Sequence, residues 1–522
     1  MMRILRRPLA LLALLALLAL ASAGRLAAQS SYEQLTAFSD VLNYIRLNYT
    51  DSVGYPEMVQ AAIEGVLRSL DPHSYFLARN DYARRNSMER GELAITGLYF
   101  ELVDGRPTVL GVLDGSPAAR SRIQPGDRLL SVDDTSAAGI DVEHLALKLA
   151  GEKGSRVRLR FARGSLLEPD TLRVTLKREQ IPLRGVSTAG MADSVTGYVR
   201  LAEFTLGVGE EVDRALKTLK GRGMRRAILD LRGDPGGRIV GAVDVAGLFL
   251  ARGAIVFKTR DRRSQNDHDF ATQLDGAWRE LPLVVLIDDR SASASEALAG
   301  SLQDNDRALI VGRRSFGKAL IQRPFVLHTG DVVFLTVGRV LTPSGRFIQR
   351  RYEGLGVEQY YSFRGTSGTA EDTAQVFHTL AGRPMRGGGG IAPDLPTPAP
   401  VQMPVWWSAA SDSAYDTAVS DSVAVLLPAT PVARERWLTD SAAWRGALLP
   451  PFLARTRAGL HAAALPDSAQ AARMARILAY RVAEVRWGVE AGLTFALRND
   501  GDVRAALTAF PRLPALLAPT RP

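Results

Sequence analysis

The chain has 522 residues, 46% of them apolar and 23% charged, with a mean hydropathy near zero. That length implies three or four domains, and that composition is globular, which excludes a disordered chain and a membrane-embedded one. The absence of cysteine excludes disulfides, a thiol nucleophile, cysteine zinc sites and a lipoprotein anchor. The net charge of +10 comes without any Lys/Arg run interleaved with aromatics, so it reads as a basic surface and not as a nucleic-acid site.

The elements follow in chain order. Arg3, Arg6 and Arg7 precede an apolar run from Pro8 to Leu20, and Ala21-Ser22-Ala23 closes it. A basic start, a short apolar stretch and a small-x-small site predict a cleaved signal peptide over 1–23, and hence export to the periplasm or cell envelope. Left uncleaved, the segment would give weak membrane association, although it is short for the roughly 20 residues of a bilayer span. Residues 31–90 read as helical. Leu35, Phe38, Val41, Leu42 and Ile45 roughly keep helical spacing, and a second stripe from Met58 to Leu70 ends at Asp71-Pro72. Residues 91–178 read as a small β-rich domain. Its strands are expected at Thr108–Leu113, Arg128–Val132, Val157–Phe161 and Thr171–Lys177, with one helix at Val142–Leu149.

Between 179 and 345 strand and helix signals alternate. Strands are expected at Thr196–Leu201, Arg226–Leu231, Leu283–Ile287, Ala308–Val311 and Val332–Val337. Helices are expected at Glu210–Lys220, Ile239–Leu250 and Ala294–Gln303. That alternation predicts an α/β core. Residues 352–388 read as an insertion into a core that extends to 400, and Pro393–Pro404 is Pro-rich. Residues 405–522 read as a helical, Ala-rich appendage whose role is not legible from composition.

Three segments carry chemistry. The apolar run Leu283–Ile287 leads through Asp288-Asp289-Arg290 into Ser291-Ala292-Ser293-Ala294-Ser295-Glu296. A strand, a turn of small residues and a helix start make a place where a serine can attack and free N–H groups can hold an oxyanion. The plain alternative is that Ser291 or Ser293 is an N-cap, with Glu296 closing a capping box. None of the six histidines sits in a recognisable catalytic motif, and no G-x-S-x-G is present. A lysine can replace histidine as base once burial lowers its pKa, and Lys318 in Phe316-Gly317-Lys318-Ala319-Leu320-Ile321-Gln322 is a lone charge in apolar surroundings. The plain alternative for Lys318 is a snorkelling surface lysine. Finally, Asp230-Leu231-Arg232-Gly233-Asp234-Pro235-Gly236-Gly237 ends a strand in a Gly-rich turn. It lacks both G-K-[ST] and the G-x-G-x-x-G spacing of nucleotide loops.

Together these segments resemble the C-terminal processing peptidases, or tail-specific proteases, which are PDZ-containing Ser–Lys proteases. SASASE at 291–296 matches the family's nucleophile motif, FGKALIQ at 316–322 its lysine motif, and DLRGDPGG its DLR-x-x-PGG turn. The 25-residue separation of Ser293 from Lys318 is the family's usual one. LRSLDPHSYFL at 67–77, SPAARSRIQPGDRLLSVD at 116–133, TPSGRFIQ at 342–349 and GGIAPD at 389–394 extend the likeness, in order, over residues 31–400. Where the family turn often carries Asn, this chain has Gly233 and Asp234, and the carboxylate loop often has a second small residue that is missing here.

The resemblance implies a multidomain α/β protein. Its parts are a helical N-terminal region (31–90), a PDZ domain (91–178), a crotonase/ClpP-like Ser–Lys protease core (179–400) and a helical C-terminal region (405–522). It implies Ser293 as nucleophile, Lys318 as base and Gln322 as the orienting partner. The oxyanion donors would be Ala294 and either Gly236 or Gly237. Gly97, Leu98, Tyr99 and Phe100 would stand at the loop that binds a peptide carboxylate. It implies no metal or cofactor, protein substrates with free C-terminal tails, and a homodimer through the N-terminal helices. A tail-binding PDZ protein without catalysis, or a latent protease, is the rival reading.

Overall fold

The computed structural model describes residues 32–90, 92–103, 106–113, 116–121, 123, 126–163, 170–181, 184–355, 360, 372–404, 406–407, 410, 415–460 and 465–516. The signal-peptide expectation at 1–23 lies outside them, as does part of the insertion expected at 352–388. The chain divides into two compact units at Phe76/Leu77. In the first, residues 32–48 and Tyr55–Leu70 are helices. Pro56 sits in the opening turn of the second helix, where its missing N–H costs nothing. Asp71 ends that helix in an extended conformation, its carboxylate accepting the His73 and Ser74 N–H groups at 2.8 and 2.9 Å.

The second unit begins with the helix Arg79–Glu89 and an antiparallel sheet. Its strands run in the spatial order Leu98–Val103, Arg106–Val112, Arg128–Val132, Arg156–Arg163, Asp170–Lys177. Alternate residues of Arg156–Arg163 face inward, so Val157, Leu159 and Phe161 join Val109, Leu129 and Leu145 in one core. The helix Val142–Leu149 starts at the expected residue because the Asp141 carboxylate accepts the His144 N–H at 2.8 Å.

The core of this unit is a six-stranded sheet. Its order is Leu395–Pro396, Leu309–Gly312, Leu283–Ile287, Arg226–Asp230, Thr196–Leu201, Val186–Met191. All neighbours are parallel except the last pair. A strand covered on both faces must be apolar throughout, and every residue of Leu283–Ile287 is fully buried. Leu283, Val285 and Ile287 meet the helices Val208–Gly221, Ile239–Ala246 and Ala294–Asp304. Val284 and Leu286 point the other way, onto Val503, Ala506 and Phe510 of the C-terminal region. That region is therefore the second helical layer of the sheet. Its helices Tyr415–Leu426, Pro431–Thr439, Ser441–Leu460 and Ser468–Trp487 share a core of their own around Trp437, Trp444 and Phe452. A second, antiparallel sheet pairs Leu320–Val326 with Val332–Leu341, Val332–Leu341 with Ile255–Asp261, and Ile255–Asp261 with His268–Ala271. The described end of the expected insertion is a strand pair, Asp372–His378 with Pro384–Gly387.

Candidate active site

In open parallel sheets the strands' carboxyl ends converge on one edge, and loops there are placed to meet a ligand. Two neighbouring strands, Arg226–Asp230 and Leu283–Ile287, end at that edge in the DLRGDPGG turn and the SASASE turn. The two turns are stitched together. Ser291 Oγ donates to the Leu231 carbonyl at 2.8 Å, Ser295 Oγ donates to the Asp234 carbonyl at 3.0 Å, and the Ala292 N–H donates to the same carbonyl at 3.1 Å. Ser291 and Ser295 are thus structural. Ser293 lies between them with φ 58 and ψ −111, a conformation outside the usual regions for a residue with a Cβ.

Ser293 lines a cavity of about 30 Å³, room for a single water, which Lys318, Glu296, Ala297, Thr342 and Ile348 also line. Lys318 is half-buried, and among the described residues no hydrogen bond or ion pair holds its ammonium. Burial pushes its pKa down, against the Glu143 carboxylate, with Arg85 assisting and Glu296 opposing. The plain reading of Lys318 as a snorkelling surface charge does not describe this position.

Glu296 does more than cap a helix. It is fully buried, and one oxygen accepts the N–H of Ser293 at 2.9 Å and of Lys318 at 2.8 Å. The other accepts Ser315 Oγ at 2.5 Å and the Gly317 N–H at 2.6 Å. One carboxylate therefore sets the backbone of both the serine and the lysine. Burial raises its pKa, and these four donors oppose that rise. Sequence reasoning found the cap and missed the other half, because nothing local ties position 296 to positions 315–318.

Of the two candidate glycines, Gly236 is buried and its N–H is taken by Asp234 Oδ1 at 2.8 Å. The exposed Gly237 offers an N–H with no acceptor among the described residues, as does Ala294. Gly236 is needed for its shape. At φ +103, a Cβ there would lie 2.7 Å from the Ala292 carbonyl oxygen and 2.9 Å from Ser293 Cβ. Asp234 is fully buried with Oδ2 unpartnered, and burial, reinforced by Glu203, pushes its pKa up to about 7.

Residues 195–361 match the family model described as Peptidase family S41, and residues 108–163 match a PDZ domain. A carboxy-terminal-processing protease of Bartonella bacilliformis is 31% identical over 63% of this chain and 75% of its own length. A carboxyl-terminal-processing protease of Synechocystis sp. is 34% identical over 56% of this chain and 69% of its own. The chain belongs to peptidase family S41, among the carboxy-terminal-processing proteases. Among solved structures, a photosystem II D1 C-terminal processing protease is similar to this S41 peptidase at 26% identity, with a TM-score of 0.49 over 70% of this chain and 87% of that one.

The remaining expected site residues of the S41 peptidase fall as follows. Gln322 is on the strand Leu320–Val326 and donates to Thr336 Oγ1 at 3.1 Å, with no hydrogen bond to Lys318. The segments TPSGRFIQ and GGIAPD both meet the lysine loop. Gln349 accepts the Ala319 N–H at 2.7 Å, and the Ile391 N–H donates to Ser315 Oγ at 2.6 Å. Gly97 has φ +79, and a Cβ there would stand 2.2 Å from Ser116 Cβ. Leu98, Tyr99 and Phe100 belong to the strand Leu98–Val103, whose outer edge is unpaired among the described residues. Burial, with the negative charges of Glu203 and Asp234, pushes the Tyr99 hydroxyl up to about 12.

Proposed function

We propose that this S41 peptidase is an exported serine endopeptidase that recognises C-terminal tails through its PDZ domain and cleaves by a Ser–Lys mechanism. The observation that carries the reading is the shared cavity of Ser293 and Lys318, with Ser293 held at positive φ. A tail adds as a strand to the open edge of Leu98–Val103, its carboxylate at the backbone near Gly97–Phe100. Neutral Lys318 takes the proton from Ser293 as Oγ bonds to the scissile carbonyl carbon. The N–H groups of Ala294 and Gly237 stabilise the oxyanion, and Gly236 shapes the turn. As the C–N bond breaks, Lys318 returns the proton to the leaving amine, and water then hydrolyses the acyl-enzyme. Gln322 orients Lys318 once its amide turns from Thr336. Export to the periplasm or cell envelope rests on residues 1–23. A homodimer through the N-terminal helices is supported by Leu35, Phe38, Val41 and Ile45, all exposed on residues 32–48.

The test uses residues 24–522 and a substrate ending in an apolar free carboxylate, beside the same substrate amidated. Cleavage by wild type alone, with preference for the free carboxylate, is expected. Equal cleavage by Ser293→Ala would show the nucleophile to be another group. A latent form of the same protease is favoured by Gln322 bonding Thr336 in place of Lys318. That reading expects a free tail peptide, added in trans, to speed phosphonylation of Ser293 by a fluorophosphonate (P–O bond formed, fluoride released), and an unchanged rate counts against it.

A further inference from the structure

The C-terminal helices do more than cover a sheet. Asp500 caps the helix Gly501–Ala509, accepting the Asp502 and Val503 N–H groups at 2.8 and 3.1 Å. Its carboxylate also reaches Arg232 Nη1 at 2.9 Å, and Asp502 Oδ2 reaches the same nitrogen at 2.8 Å. Arg232 opens the DLRGDPGG turn, two residues before Asp234. Its remaining donors are held by the fully buried Asp230 at 2.6 and 3.0 Å. Asp502 Oδ2 accepts a second arginine, Arg313, at 3.0 Å, and Arg313 faces Asp288 at 3.7 Å. Asp288 in turn accepts the N–H of Gly233 at 2.9 Å and of Arg290 at 3.1 Å.

Two acidic residues about 270 positions downstream of the turn thus grip the two arginines that flank the turns carrying Gly237 and Ala294. Arg232 and Arg313 are only 14% and 17% exposed, so solvent does little to screen these pairs. Burial opposes ionisation of Asp502, yet Thr397 and the two arginines hold its carboxyl below the ordinary value.

We propose that Asp500 and Asp502 are positioning residues for catalysis: through Arg232 and Arg313 the C-terminal region sets the spacing of the two turns that supply the oxyanion donors. The inference rests on the Ser–Lys reading and on Gly237 and Ala294 as donors. A developing oxyanion needs its donors at about 2.7–3.1 Å, and a misplacement of about 1 Å costs on the order of a hundredfold in rate. Among the described residues, neither Arg232 nor Arg313 hydrogen-bonds the edge strand Leu98–Val103, so the loss should appear in kcat and not in KM.

The experiment is steady-state cleavage of the free-carboxylate substrate by full-length Asp502→Asn, Asp500→Asn and Asp502→Glu, with thermal melting of each. Asp502→Asn should lose roughly ten- to a hundredfold in kcat with KM within about twofold, and Asp502→Glu should recover part of it. Asp500→Asn serves if Asp502→Asn does not fold. Asn caps a helix as well as Asp, so that change removes only the charge facing Arg232. Its kcat should fall several-fold. A lowered melting temperature with wild-type kcat in the variants overturns the proposal and leaves a purely structural contact. Cleavage by Ser293→Ala, run alongside, overturns the parent reading instead, and this inference with it.

Discussion

Replacing Asp234 by Asn tests the electrostatics of the DLRGDPGG turn. The Asp234 carboxyl is fully buried, one oxygen accepts the Gly236 N–H, the other has no partner, and its pKa stands at about 7. Between the ordinary carboxylate value of about 4 and 7, the folded protein keeps a proton that the unfolded chain has already released. Stability from this group is therefore whole at low pH and is lost as pH rises through that window. Each unit corresponds to about 1.4 kcal/mol, so on the order of 2 kcal/mol should go between pH 5 and pH 7. Asn keeps the bond from Gly236 and never ionises. It leaves an amide N–H unpaired, at about 1–3 kcal/mol, but that cost is the same at every pH. Denaturant unfolding of Asp234→Asn and of the parent, both carrying Ser293→Ala to prevent self-cleavage, gives the difference at pH 5 and pH 8. The variant's relative stability should improve by about 2–4 kcal/mol over that range. Activity should follow in the catalytic background. On the proposed mechanism it rises as Lys318 loses its proton and is held back as Asp234 gains a charge in the turn, so Asp234→Asn should raise activity relative to the parent above about pH 7. An equal stability difference at pH 5 and pH 8 would refute the reasoning, because Asp234 would then titrate as an ordinary carboxylate.

Ser293→Ala and Lys318→Arg should each lower kcat at least about a thousandfold in peptide cleavage, the arginine because it cannot lose its proton near neutral pH. Glu296→Gln puts an NH2 group where two donors already point, so it should destabilise by about 2–4 kcal/mol and cut kcat in the fraction that folds, read by melting and by active-site titration. Gly97→Ala meets Ser116 Cβ at 2.2 Å and should weaken binding of a free-carboxylate peptide at least about tenfold while the amidated peptide is unaffected, measured by fluorescence anisotropy.

Local signals explain how much the sequence disclosed. Leu283–Ile287, Thr196–Leu201 and the helix Val142–Leu149 were legible because burial on both faces, or a capping Asp, leaves an unbroken pattern. The strands Val186–Met191, Ile255–Asp261 and Leu320–Val326 were not, since they are half-exposed and carry polar or charged residues. The helix expected at Ile239–Leu250 ends at Ala246, where Gly247 follows. Leu98–Phe100, read as a loop, opens a strand, because the turn is confined to Gly97. At the site, Ser293 and Lys318 stood out by motif. Asp234 stood out only as a departure from the family's Asn, and Asp500 and Asp502 carried no signal at all. Their effect depends on a long-range pairing with Arg232 and Arg313 that no window of sequence contains.

The second cover of the central sheet has a consequence for how the chain reaches its active form. Val284 and Leu286 are made early, while Val503 and Phe510, which bury them, come roughly two hundred residues later, so this closure is a high-contact-order event and a slow one. Until it happens, one face of the strand behind Ser293 lies open to water, and Arg232 and Arg313 lack the carboxylates of Asp500 and Asp502. A partly made chain therefore carries every residue of the motifs without the finished site. If Asp500 and Asp502 position the two turns as proposed, the order of synthesis holds back cleavage until the last helices dock.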